Sequence, residues 1–155
     1  MRAYAQDSAV SIDRSRAEIE RILTRAGATA FMYARREGHA AIIFQLTGRT
    51  MRFTVLEASA ADPIVCSTPS GRRRRPAAIQ VETERETRRR WRAFVLILKA
   101  KLEAIHSGVV SMEEEFLPYM QLQDGRTVAE WSESGLKPAL ELGRMPAGLL
   151  GPGAG

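Results

Sequence analysis

The spacing of apolar residues between positions 79 and 107 constrains the fold more strongly than any other feature of the chain. From Trp91 onward, apolar side chains recur three, four, seven, eleven and fourteen positions later, at Phe94, Val95, Leu98, Leu102 and Ile105. This spacing predicts one long helix with a continuous apolar stripe, which Gly108 ends. A helix of that length exceeds what a small sheet can cover. The surplus stripe, or alternatively Leu96 on the basic side of the helix, would meet a second copy of the chain, which predicts a homo-oligomer formed through the long helix.

Upstream of this helix, the sequence predicts another helix and a three-stranded meander. Residues 11–26 carry apolar side chains at helical spacing, and Gly27 ends that helix. Three strand-like segments follow, at 29–36, 40–47 and 50–57. Turn residues join them, so we expect an antiparallel sheet. Alternation predicts which apolar side chains share the face that packs on the helices, namely Ile42, Phe44 and Leu46 with Met51, Phe53 and Val55.

Downstream of the long helix, two short elements are predicted. Ser111 is followed by three glutamates in a capping-box pattern, and Pro118 limits that helix to a few residues. Asp124-Gly125, between residues 120–123 and 126–129, is typical of a type I′ β-hairpin. The predicted fold class is therefore α+β. Its order is an N-terminal helix, a three-stranded antiparallel meander, a long amphipathic helix, a short helix and a C-terminal β-hairpin.

Proline and glycine content predicts how this domain is bounded. Residues 58–78 have little apolar patterning and contain four consecutive arginines, so we expect a mobile basic loop there. Residues 132–155 are rich in glycine and proline, which predicts a flexible tail after Trp131 has anchored the ordered chain. We therefore expect a single α+β domain over residues 1–131.

The distribution of charge is more informative than the net charge of +5. Residues 72–102 contain nine Arg and two Lys against three Glu, which makes +8. Residues 103–155 contain three basic and eight acidic groups, which makes −5. Arginine outnumbers lysine by 20 to three, and its planar guanidinium suits contact with phosphate. The alternative is that a GC-rich genome encodes arginine by default.

The basic segment supplies the candidate binding residues. One cluster is the loop run, and the second lies on one sector of the long helix beside its apolar stripe. We expect these side chains to contact phosphates: Arg72, Arg73, Arg74, Arg75, Arg85, Arg88, Arg89, Arg92 and Lys99. The second face of the sheet would be solvated, or would add a binding surface formed by Tyr33, Arg35 and Arg52 if the strand registers bring them together.

Aromatic residues in the sheet leave two interpretations open. Single-strand binding proteins stack bases on exposed aromatic rings. The candidates for such stacking are Phe31, Tyr33, Phe44 and Phe53. Aromatic residues in a small sheet also commonly form the core, which is the alternative for all four.

No residue pattern indicates an enzyme. Phosphate-binding glycine loops, nucleophile elbows and zinc-protease motifs are absent from the sequence. Cys66, His39 and His106 fall in a loop, in a turn and at a helix end, which fits neither a Cys-His nucleophile nor a zinc site. The consecutive glutamates at 113–115 point in different directions on a helix, so they do not favour a carboxylate metal site. We therefore expect a non-enzymatic protein that uses no metal and no cofactor.

Hydropathy and cysteine content favour a cytoplasmic protein without a membrane partner. No uncharged apolar run approaches the roughly 18 residues that a membrane-spanning helix needs. Residues 1–10 lack the apolar core of a secretory signal. The single cysteine, Cys66, cannot form an internal disulfide, which fits a reducing compartment.

Four segments carry a resemblance to a family of uncharacterised phage and prophage proteins. They are Arg-Arg-Arg-Trp-Arg-Ala from Arg88, Lys-Ala-Lys-Leu-Glu-Ala from Lys99, Glu-Glu-Glu-Phe-Leu-Pro-Tyr from Glu113 and Asp-Gly-Arg-Thr-Val-Ala-Glu-Trp from Asp124. The resemblance implies a mobile-element origin in a bacterial host cell, and no catalytic residues.

The functional expectation combines the arginine clusters with this resemblance. It is sequence-tolerant binding of nucleic acid, preferably single-stranded DNA, in phage or prophage DNA metabolism. The alternative is a small protein-interaction module that inhibits or adapts a host or phage protein.

Overall fold

The computed structural model describes residues 2–133, with side chains from residue 12 onward. The elements are α1 (Arg2–Arg25), β1 (Ala30–Arg36), β2 (His39–Leu46), β3 (Arg49–Leu56), α2 (Pro63–Cys66), α3 (Pro76–His106), α4 (Met112–Phe116) and a 3-10 turn (Leu117–Tyr119). Residues 128–133 are again helical. The predicted α+β class is confirmed, with both major helices and the meander in the predicted order.

The three strands form one antiparallel sheet in the order β1-β2-β3. Thr47 and Gly48 join β2 to β3 with positive φ angles of 51° and 76°. Two-residue hairpins of type I′ need positive φ at both central positions, so the glycine is required for this tight turn. Cross-strand partners such as Ile42 and Phe53 then point to the same face. The register therefore matches the alternation in the sequence.

Both major helices pack on one face of the sheet, as predicted. The six apolar side chains expected on that face are all buried. They meet Ile19 and Leu23 of α1, and Trp91, Val95 and Leu98 of α3. Burial of a side chain of this size stabilises the fold by about 1.5–3 kcal/mol, so this layer is the main source of stability.

The two long helices begin earlier than the sequence pattern predicts. Helix α1 begins at Arg2 instead of Ser11, because residues 2–10 contain no glycine or proline and α-helix continues through them. Helix α3 begins at Pro76, where proline at the first helical position loses no hydrogen bond. Leu96 and Ile97 on α3 remain 55% and 49% exposed.

The C-terminal part confirms the short helix but not the hairpin. Ser111 and Glu114 form the predicted capping box at the start of α4. Around Gly125, only one antiparallel bridge forms, between Gln121 and Thr127. The Thr127 hydroxyl accepts from the Glu130 amide at 3.3 Å while the Glu130 carboxylate accepts from the Thr127 amide at 2.8 Å. This reciprocal cap begins a helix at residue 128, where the second strand was predicted.

The segment predicted as a mobile loop, 58–78, contains local structure. Helix α2 lies inside it with Val65 fully buried, and a β-bridge joins Ser67 to Arg73. How far the segment moves in solution stays a prediction. The predicted flexible tail lies outside the described residues from position 134 onward.

Candidate nucleic-acid interface

The arginine run is positioned by contacts that tie its loop to α3. Asp62, just before α2, bonds to Ser59 and accepts from the Arg90 guanidinium of α3 at 2.7 Å. Hydrogen bonds from Ser59 and from Arg90 hold the pKa of Asp62 below its usual value. At the other end of α2, the Arg74 amide donates to the Cys66 carbonyl at 2.8 Å. The loop therefore returns along α3 instead of extending away from it.

A cleft of about 450 Å³ lies between this loop and α3. It brings together arginines from both clusters, namely Arg74 of the loop and Arg85 and Arg89 of the helix. Two carboxylates, those of Glu82 and Glu86, also line it. Three candidate arginines from the two clusters therefore line one cleft.

Glu86 is a nearly buried carboxylate that pairs with two arginines of α3, Arg89 and Arg90. Its side chain is only 9% exposed, and it accepts from Arg89 at 2.7 and 2.9 Å and from Arg90 at 3.0 Å. These bonds, first from Arg89 and then from Arg90, keep the pKa of Glu86 below its usual value despite burial. The carboxylate is thus charged at neutral pH and holds both guanidinium groups in place.

Two further members of the predicted site hold the helices together. Arg92 and Lys99 of α3 both donate to Glu18 of α1, the arginine at 2.6 Å. The hydrogen bond from Lys99 is the main reason that the pKa of Glu18 is lowered. These two cations serve as an interhelical clamp, which reduces their availability for phosphate.

Among the candidate binding residues, the arginines with the least internal pairing belong to the loop. Within the described residues, the guanidinium groups of Arg72, Arg73 and Arg75 make no hydrogen bond or ion pair, and all three residues are exposed. Arg85 has only a 3.5 Å contact with Glu82, and its side chain is 72% exposed. Arg88 is half-buried and interacts with another group of the protein, so it is not counted among the unpaired arginines. Among the candidate residues, positive charge is therefore most accessible at Arg72, Arg73 and Arg75.

The predicted sheet surface of Tyr33, Arg35 and Arg52 does not exist, because the register separates its members. Tyr33 pairs with Ile42 on the core face, whereas Arg52 pairs with Ile43 on the opposite face. Arg35 is bonded to Glu57 at 2.8 Å, and Arg52 is bonded to Glu130.

Tyr33 is part of the packing of α1 on the sheet. Its hydroxyl donates to the Arg16 carbonyl at 2.9 Å, and the Arg16 guanidinium lies 4.2 Å from the ring centroid. Burial raises the pKa of Tyr33 well above its usual value. The phenol is therefore neutral and structural.

The sheet aromatics belong to the core. Phe44 and Phe53 are 1% and 4% exposed and stack on each other at 5.9 Å. Phe31 and Tyr33 are half-buried and meet edge to face at 4.4 Å. The core alternative is confirmed for Phe44 and Phe53, and the half-buried Phe31 and Tyr33 pack against that core.

Sequence reasoning missed the acidic partners that decide which arginines are accessible. The Glu86 pairs had a visible signal, because Arg89 and Arg90 follow it at helical spacings of three and four. The Glu18–Arg92 and Asp62–Arg90 pairs had none, since they join elements far apart in the chain.

Comparison with known proteins finds no match to the chain among family models, curated proteins or solved structures. The resemblance to phage and prophage proteins thus stays a prediction. Among the residues that the structure describes, no helix combines the length and apolar character needed to cross a bilayer.

Proposed function

We propose that this protein binds nucleic acid without reading its sequence, through arginine contacts to phosphates. The observation that carries the proposal is the accessibility of Arg72, Arg73 and Arg75, whose guanidinium groups lack partners within the described residues. They adjoin a cleft lined by three more arginines. Phosphate contacts position a strand but carry no sequence information, so the binding is sequence-tolerant.

Single-stranded DNA is the proposed preferred ligand, in phage or prophage DNA metabolism within the cytoplasm of a bacterial host. Since the sheet aromatics are in the core, the preference must come from the backbone of the strand. A flexible single strand can bend from the loop arginines into the cleft beside α3, whereas a stiff duplex cannot follow that path. No catalytic step forms part of the proposal.

A fluorescence polarisation titration tests the proposal with single-stranded DNA, double-stranded DNA and RNA at 50 and 200 mM salt. We expect a dissociation constant in the micromolar range or below for single strands at the lower salt. With three phosphate contacts, a fourfold rise in salt should weaken that binding roughly 20-fold. Absence of binding to all three nucleic acids at 50 mM salt would refute the proposal.

A second candidate function, a protein-interaction module, is favoured by an apolar groove between α1 and α3. The groove measures about 770 Å³ and is lined by Ile22, Ala26 and Leu96 among others. Leu96, one of its lining residues, is 55% exposed. This surface would bind a host or phage protein, or a second copy of the chain.

A pull-down from nuclease-treated host lysate separates the two candidates, because a direct protein partner survives nuclease treatment. Sedimentation of the purified protein tests the second copy. We expect Leu96→Asp to shift a dimer towards monomer, with the folded state checked by circular dichroism. A monomeric wild-type protein at tens of micromolar would exclude the homo-oligomer.

A further inference from the structure

The cleft between the loop and α3 differs from the loop arginines in being built before any ligand arrives. Arg74 is fixed because its Nη1 donates to the Ser67 carbonyl at 2.6 Å. Arg89 is fixed by its two bonds to Glu86, at 2.7 and 2.9 Å. Two guanidinium groups from different elements therefore line one space of about 450 Å³, and each keeps N–H donors that these bonds do not use.

We propose that this cleft binds a terminal phosphate, the phosphate monoester at the end of a nucleic-acid strand. The inference rests on the proposed function, and it assigns the end of the strand to the cleft and the internal phosphodiesters to Arg72, Arg73 and Arg75. A monoester carries between one and two negative charges at neutral pH and three acceptor oxygens, whereas a phosphodiester carries one charge. Clustered arginine forks therefore favour the monoester.

The walls of the cleft suit a nucleotide end as well as its phosphate. Pro63, Ile64 and Pro69 provide an apolar side, and Ile64 is 53% exposed. A sugar or base attached to the bound phosphate can cover that apolar side. An isolated inorganic phosphate would leave it uncovered.

The two carboxylates of the cleft play different roles. Both oxygens of Glu86 are occupied by Arg89 and Arg90, so this residue organises the cleft. Glu82 is held only loosely, at 3.5 Å from Arg85. A phosphate would compete with Glu82 for the Arg85 guanidinium. Removing this carboxylate should therefore strengthen phosphate binding.

The test compares three single-stranded DNA oligonucleotides of one sequence, with an internal fluorophore. One carries a 5′-phosphate, one a 3′-phosphate, and one has hydroxyls at both ends. We expect the full chain to bind one of the phosphorylated strands at least about fivefold more tightly than the dihydroxy strand. The 5′ and 3′ arms identify which end enters the cleft.

Two variants locate the preference in the cleft. In Arg74→Ala combined with Arg85→Ala, we expect the preference to fall to about onefold, because the phosphorylated strands lose more affinity than the dihydroxy strand does. In Glu82→Gln, which removes no arginine, we expect the preference to increase about twofold or more. The second variant keeps the test decisive if loss of the Arg74–Ser67 bond disturbs the loop.

Equal affinity for all three strands would overturn the inference and leave the proposed function standing. An end preference that is unchanged in both variants would place the end elsewhere and also overturn it. Failure of all three strands to bind would overturn the proposed function and this inference together.

Discussion

The arginine run at 72–75 and the basic residues of α3 carry similar charge in the sequence. They differ in the folded protein in how many acidic partners they have. In the loop, the guanidinium groups of Arg72, Arg73 and Arg75 have no hydrogen-bond or ion-pair partner within the described residues. On α3, Arg89 and Arg90 share a buried carboxylate, and Arg92 pairs with α1. The difference teaches that neighbouring arginines with similar charge in the sequence can differ in accessibility, because the fold supplies acidic partners to some of them and not to others.

Removal of the loop arginines and removal of the paired helix arginines should therefore affect different properties of the protein. Removing a loop arginine should weaken ligand binding and leave stability nearly unchanged, since an exposed substitution typically changes it by less than about 0.5 kcal/mol. Disrupting the paired helix arginines should reduce stability and leave ligand binding nearly unchanged. Stability and affinity are therefore both to be measured for the Glu86→Ala variant and for the combined Arg92→Ala and Lys99→Ala variant.

The largest effect on stability is expected from Glu86→Ala. It removes a carboxylate that is 9% exposed and leaves Arg90 without one of its two acidic partners. We expect the free energy of unfolding to fall by about 2 kcal/mol, since hydrogen bonds to charged groups contribute roughly 1.5–3 kcal/mol. Urea denaturation measures the change.

The matched control for this variant is Glu103→Ala, which removes an exposed glutamate from the same helix. Affinity of Glu86→Ala for single-stranded DNA with hydroxyls at both ends should change by less than about threefold, because Arg72, Arg73 and Arg75 keep their accessible guanidinium groups. A large loss of affinity without a loss of stability would contradict the division between the two clusters.

An intermediate effect is expected from Arg92→Ala combined with Lys99→Ala. Both side chains clamp Glu18 and are about half exposed, so we expect a melting temperature lower by about 2 °C. Affinity for single-stranded DNA should change by less than about twofold. If affinity instead falls as far as in a loop variant, these two residues contact phosphate, and the clamp is not their main role.

The smallest effect is the pH dependence contributed by Glu86. Its pKa is lower in the folded chain than its ordinary value of 4.5, so the unfolded chain takes up the proton first. The stabilisation is complete above about pH 5 and is lost as pH falls through the folded-state pKa. We expect Glu86→Gln to show a shallower decline in stability between pH 5 and pH 3. If stability falls equally with pH in Glu86→Gln and in the wild-type protein, Glu86 contributes nothing to the pH dependence of folding.

Local patterns were sufficient to predict most of the fold. The stripe on α3 and the buried alternation in β2 and β3 depend only on residues close in the chain, and both are confirmed. The hairpin prediction failed because Thr127 and Glu130 form a helix cap directly after the turn. Asp124-Gly125 predicts a turn whether a strand or a helix follows it. The Thr127–Glu130 cap favours the helix.

The candidate site was less predictable than the fold. The residues of the loop cluster could be predicted from the sequence, because they are four consecutive arginines. The burial of Tyr33 and the separation of Arg52 from it depend on strand register and on α1, which no local pattern contains. The cleft itself arises from the return of the loop along α3, through the Asp62–Arg90 pair.

The most direct test compares two triple variants that lose the same charge from different surfaces. Arg72→Ala, Arg73→Ala and Arg75→Ala are combined in one protein, and Arg14→Ala, Arg21→Ala and Arg36→Ala, all exposed, are combined in the other. Titration with single-stranded DNA at 50 mM salt should show a loss of affinity of at least about tenfold in the loop variant and of less than about threefold in the control. Equal losses in the two proteins would contradict the account, because binding would then follow net charge and not the accessible loop arginines.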